Sequence, residues 1–230
     1  MINVEDFKKY SDILKNYLNM DYNPVAVKLF KKEENAMEYF DKTDKKIMHC
    51  QSILNASKGE SFYGTKNEIG CKMGKCVLGL NSLPEEFTEG VIFDKNNTCS
   101  TLSSGRYYAE QVPKMPYEIE AIGYTPLEDA KFIPDVIVIV AKPKTIFDLI
   151  RANTYLSGER ITSSVGGTQS FCGDIVVNTF LTKTPNISFG CMGSHLATDF
   201  APTEVVIGFP SETFDNIVES VVRTNNLHKN

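Results

Sequence analysis

Several features that would settle the class of this chain early are missing. No apolar run approaches the roughly 20 residues that a membrane helix needs, and no N-terminal apolar stretch resembles a signal peptide. There is no C-x-x-C pair, tight zinc knuckle, Walker loop or dinucleotide fingerprint. Positive charge is short as well. The net charge is −5 and the Lys-Lys pairs at 8–9, 31–32 and 45–46 are scattered, which argues against nucleic acid as the main partner. Histidine is scarce: His49, His195 and His228 make up the whole supply. These absences predict a cytoplasmic protein with no membrane partner, in a compartment where thiols stay reduced.

Six cysteines are therefore informative. In a reducing compartment they point to metal or redox chemistry rather than a disulfide frame, although small thiols also pack well in cores. The length suits one globular unit over 1–230. Val4, Phe7, Tyr10, Ile13, Leu14, Tyr17 and Leu18 form one stripe, which predicts an amphipathic helix over 4–18. Strands are predicted at 24–30, 136–140 and 204–209, the second from the β-branched run VIVIV. Helices are predicted through ENAMEYF, over 144–158 with Gly158 closing it, and over 212–227. Alternating strands and helices give a mixed α/β (α+β) class.

The order of these signals occurs twice. Cys50 opens CQSILNA and Cys172 opens CGDIVVN, and each is followed about twenty positions later by a Gly-Cys pair, at Cys71 and Cys191. Downstream, EIEAIGYTPLED matches TEVVIGFPSETF through Ile-Gly-aromatic. Half-repeats over 20–130 and 131–216 are expected, related by a pseudo-twofold, with their sheets meeting near the site and the N-terminal helix covering one open side. Cys76 and Cys99 have no counterpart in the second half, so the C-x4-C frame of Cys71 and Cys76 is incidental.

Four thiolates converging from two halves repel one another and are costly to bury without a cation. Cys50, Cys71, Cys172 and Cys191 are accordingly expected to hold an iron–sulfur cluster, 4Fe–4S in preference to 2Fe–2S, for electron transfer or small-ligand redox chemistry. Two alternatives stay open: a zinc-stabilised module that binds a small molecule or protein, and a metal-free enzyme using Cys50 or Cys172 as nucleophile. A redox partner protein, a small-molecule ligand and a homodimer are all compatible with the sequence. His195, four residues after Cys191, is a candidate ligand or proton donor, although an ordinary hydrogen-bonded histidine is the plainer reading. The turn SSVGGTQSFCG (163–173) is a candidate anion nest against a plain surface turn. Arg106 and Arg160 lie near glycines, as in some phosphate sites.

The stretches NPVAVKLF, HCQSILNASKGESFYGTKNEIGCKMGKCVLGL, YTPLEDAKFIPDVIVIVAKP, SFCGDIVVNTFLTKTPNISFGCMGSH and EVVIGFP together resemble domain-of-unknown-function family 169, a prokaryotic family common in anaerobes and archaea. The resemblance covers nearly the whole chain. It implies required cysteines at Cys50, Cys71, Cys172 and Cys191, and none at Cys76. His195 stands where the family pattern carries arginine, so no anion-binding role transfers to it. The resemblance implies fold extent and ligand choice, and no reaction.

Overall fold

The computed structural model describes residues 3–226. The N-terminal stripe forms α1 (Asp6–Tyr17), followed by β1 (Val25–Phe30), α2 (Glu33–Met37), α3 (His49–Ser57), β2 (Phe62–Thr65) and α4 (Lys72–Val77). Three further helices, α5 (Glu85–Thr88), α6 (Val91–Lys95) and α7 (Leu102–Gln111), lead to β3 (Ala121–Pro126). The VIVIV run lies in β4 (Val136–Ala141), and α8 (Pro143–Ser157) ends at Gly158 with a left-handed φ of 71°. A π-helix (Ser170–Val177) then runs into α9 (Asn178–Thr182), β5 (Asn186–Ser188), α10 (Met192–Ala197), β6 (Val205–Pro210) and α11 (Phe214–Asn226). The class is mixed α/β. His228 lies outside the described residues. Among them, no helix is long and apolar enough to cross a membrane.

One sheet runs β2-β3-β1-β4-β6-β5, with every neighbouring pair antiparallel. Both its faces are covered. Val25, Val27, Val136, Val138 and Val140 enter one core, with Ile53, Phe87 and Ile175 from the helices above. Ala26, Phe30, Ile137 and Ile139 enter the other, with Phe7, Leu14, Leu149 and Phe214. This double burial explains why β4 reads as an unbroken apolar run rather than an alternating one. Each large side chain so buried contributes about 1.5–3 kcal/mol.

Cys50 and Cys172 belong to the first core and α1 to the second. The N-terminal helix therefore covers the sheet face opposite the cysteines and closes no side of their site, contrary to the expectation above. Its aromatic stripe packs on α11 through Tyr10 and Phe214, and Lys15 reaches Glu128 at 2.6 Å.

The halves meet within a single sheet, through the β1–β4 pair with Val25 opposite Val138. Outward from that pair each half contributes strands in the same order, β1-β3-β2 and β4-β6-β5. The helices match less simply. α2 has five residues and α8 fifteen, and four helices separate β2 from β3 where α10 alone separates β5 from β6. The two faces of the sheet also correct the Ile-Gly-aromatic match. Tyr124 points into the cysteine-bearing core and Phe209 into the opposite one, so the aromatic residues of the two motifs do not take equivalent places and the expected pseudo-twofold does not hold across them. A one-residue slip in a strand exchanges its two faces, and sequence similarity alone does not register it.

Gly208 is where the π-helix rests on the sheet. A β-carbon there would lie 2.8 Å from both the Ile175 carbonyl oxygen and Thr179 Oγ1. Gly208→Ala is expected to lower stability by about 1–3 kcal/mol in urea denaturation, because packed backbone has to move. Gly193→Ala, whose added carbon meets nothing nearer than Cys191 Sγ at 3.8 Å, should fall well short of that loss.

Candidate functional site

Cys50, Cys71, Cys172 and Cys191 all line one cavity of about 640 Å³ on the first face of the sheet. Each sits at the start of a helix. Cys50 is the second residue of α3, Cys172 the third of the π-helix, and Cys71 and Cys191 immediately precede α4 and α10. Cys50 and Cys172 are buried; Cys71 and Cys191 are half-buried. A β-carbon placed on Gly74 would stand 3.0 Å from Cys71 Sγ and 3.7 Å from Cys172 Sγ, so these two sulfurs flank one small space. The Gly74 N–H donates to Cys71 Sγ at 3.2 Å. The Gly173 N–H is instead taken by the Gln169 carbonyl at 2.7 Å.

Burial pushes the Cys50 thiol up to about 12, and the neighbouring Cys191 and Cys71 add to the effect. Cys172 is held well above the ordinary thiol range by burial, then by Cys71, Cys191 and Cys50. The cavity lining includes no Lys, Arg, Asp or Glu side chain. Among the described residues, no group of three or more His, Cys, Asp or Glu is arranged to hold a metal ion.

The other two cysteines lie outside the cavity. Cys76 Sγ turns back to the Lys72 carbonyl at 3.2 Å within α4, and Cys99 packs against the core. His195 does not face Cys191. Its Nε2 lies 3.0 Å from the Phe189 carbonyl oxygen, its Nδ1 3.4 Å from that of Phe200, and its ring rests on Phe200. Arg106 pairs with Glu89 on the surface, and Arg160 is exposed. The glycine-rich turn is exposed over 162–167, yet Gly166, Gly167, Thr168 and Gln169 line the cavity beside Cys172.

Three polar groupings here carry no sequence signal of their own. His49 is buried, with Nε2 at 3.3 Å from the Phe171 carbonyl and Nδ1 at 2.8 Å from Tyr124 Oη. A carbonyl only accepts, so Nε2 carries the hydrogen and the Tyr124 hydroxyl donates to Nδ1. Asp174, on the π-helix, accepts from Ser188 Oγ at 2.9 Å, and Ser170 Oγ donates to Ser188 Oγ at 2.7 Å. Tyr108 from α7 holds the glycine-rich turn through Gly166 O at 2.9 Å and Thr168 Oγ1 at 2.7 Å. The π-helix is itself a local signal of function, since such segments are rare and cluster at sites.

The family model DUF169, described as "Uncharacterised ArCR", matches residues 13–220. The chain belongs to that family. It is also 31% identical over 222 residues to "Uncharacterized protein MJ0308" of Methanocaldococcus jannaschii, covering 96% of this chain and 95% of that one. No solved structure matches.

The two buried titratable groups beside Cys50 and Cys172 act with opposite sign on stability. Burial holds His49 down to about 4, against a weaker opposing effect of the Phe171 carbonyl. The unfolded chain then takes up a proton first, so stability is lost as pH falls from about 6.5 towards 4. Burial raises Asp174 to about 7, with Ser188 and the Gly166 N–H opposing. Its contribution is present at low pH and is lost as pH rises through about 7. The two offset each other across the mildly acidic range. In metal-free protein, Asp174→Asn should uncover the histidine, with stability falling by about 3 kcal/mol between pH 6.5 and 4 in urea titrations. A variant as insensitive to pH as the parent would show that His49 is not buried neutral.

Proposed function

We propose that the chain is an iron–sulfur protein in which Cys50, Cys71, Cys172 and Cys191 hold one cluster, 4Fe–4S in preference to 2Fe–2S, for electron transfer or redox chemistry on a small ligand. One observation carries the reading: of six cysteines, these four, drawn from both halves of the chain, line one cavity, and the other two do not. The donor set is right in kind, since such clusters take four thiolates. A single zinc ion with bonds of about 2.3 Å needs sulfurs about 4 Å apart, whereas a cluster places several metal and sulfide ions between its ligands and takes thiolates that stand further apart.

When bound, the cluster would supply a one-electron couple, or a Lewis-acidic iron where a fourth ligand is exchanged. The chain's own part is distinct. The Gly74 N–H donates to Cys71 Sγ, which stabilises thiolate charge and would tune potential. Phe171 and Met48 give the cavity an apolar wall beside the buried pair. The metal-free nucleophile fits less well. Burial keeps Cys50 and Cys172 protonated, and both nitrogens of His49 are engaged elsewhere, leaving no base.

Protein isolated without oxygen should contain iron and acid-labile sulfide and absorb broadly in the visible. Each of Cys50→Ser, Cys71→Ser, Cys172→Ser and Cys191→Ser should lower iron content and melting temperature together, because a group bound only by the folded state stabilises it. Cys76→Ser and Cys99→Ser should keep both near the parent values. Iron loss in Cys76→Ser, or stoichiometric zinc in place of iron, would defeat the assignment.

A further inference from the structure

The cavity is larger than its cysteines require. A metal–sulfide core with bonds of about 2.3 Å spans only a few ångströms. Its volume of about 640 Å³ lies within the roughly 300–1,000 Å³ typical of small-molecule sites. Beyond the sulfurs the wall continues into the glycine-rich turn, with Thr168 and Gln169, and out to Asn96 and Thr98 at an exposed rim.

Gln169 is held unusually. It is one of three residues other than glycine with positive φ among those described, at 49°. Backbone in that region is costly for a residue with a side chain, and such strain gathers at sites. The side chain is also oriented. The Thr168 hydroxyl donates to Gln169 Oε1, and Tyr108 Oη contacts Thr168 Oγ1 in turn. With Oε1 already accepting, the part of the amide left to offer is Nε2, which carries two hydrogens and can only donate. A donor without a charged neighbour suits an uncharged acceptor. A carboxylate or ammonium entering this cavity would lose its hydration with no counter-charge on the wall.

We infer that the cavity binds a small uncharged molecule through a carbonyl-type oxygen accepting from Gln169 Nε2, with the ligand's apolar part against Phe171 and Met48. Gln169 is a binding residue, and Tyr108 and Thr168 position it. The site shares its cavity with the proposed cluster but does not rest on it, so the two readings fail separately.

Benzamide, benzoate and benzamidinium have nearly the same shape and differ in charge. Titrated calorimetrically into protein as isolated, with iron content recorded for each sample, benzamide should bind at least about tenfold more tightly than either ion. Gln169→Gly, which removes the amide and relieves the backbone strain, should weaken benzamide by about tenfold while leaving the melting temperature equal or higher. Tyr108→Phe, which loosens the positioning chain without touching the ligand, should weaken it less. Binding of benzoate or benzamidinium as tight as benzamide, no binding of benzamide up to its solubility limit, or unchanged affinity in Gln169→Gly each overturns the inference, whatever the iron content.

Discussion

The dominant constraint on this fold is the burial of several thiol groups in one cavity whose lining carries no charged side chain. Thiols in such surroundings resist ionisation, and the Cys50 and Cys172 values reflect that resistance. The chain's answer is geometric. It delivers each cysteine at the start of a helix, where backbone N–H groups can reach sulfur, as the Gly74 N–H reaches Cys71.

Delivering four helix starts to one place requires a rigid platform, and the doubly covered sheet provides it. The strands nearest the centre, β1 and β4, are buried on both faces and anchor both cores. The two faces then divide their tasks. α1, α8 and α11 bury one face with no part in the cavity, whereas the helices over the other face are short and interrupted. Gly208 permits a close approach between platform and site, bringing the π-helix backbone onto β6 at Ile175. A wider helix there displaces Cys172 and its neighbours from regular α-helical positions.

Much of this was legible because it follows from periodicity. The stripe of α1, the VIVIV strand and the Gly158 terminus each express one local rule, and each lies where that rule puts it. The four cavity cysteines could be picked from six because they recur in order, whereas Cys76 and Cys99 do not. What escaped the sequence is what depends on register or on long-range pairing. Tyr124 and Phe209 look equivalent in their motifs and face opposite cores. The partners of His49 are 75 and 122 residues away, and the strain at Gln169 has no compositional mark. The placement of α1 escaped for the same reason: an amphipathic stripe specifies that a face is buried and not which side of a sheet receives it.

The polar groups beside the cysteines show how a cavity without charged lining is kept that way. His49 adjoins Cys50 and Asp174 follows Cys172 by two residues, so each of these buried thiols has one buried titratable side chain close to it in sequence. Burial drives each towards its neutral form, the histidine by lowering its affinity for a proton and the aspartate by raising it. Each is also tied by hydrogen bonds that the neutral form can make, His49 through Tyr124 and Phe171, Asp174 through Ser188. Either group, if charged, would shift the stability of anything anionic held by the four sulfurs, one favourably and the other not. Between about pH 4 and 7 both are neutral, so the change of charge that a free histidine makes near 6.5 is absent from this range. Above about 7 Asp174 ionises and adds a negative charge on the π-helix.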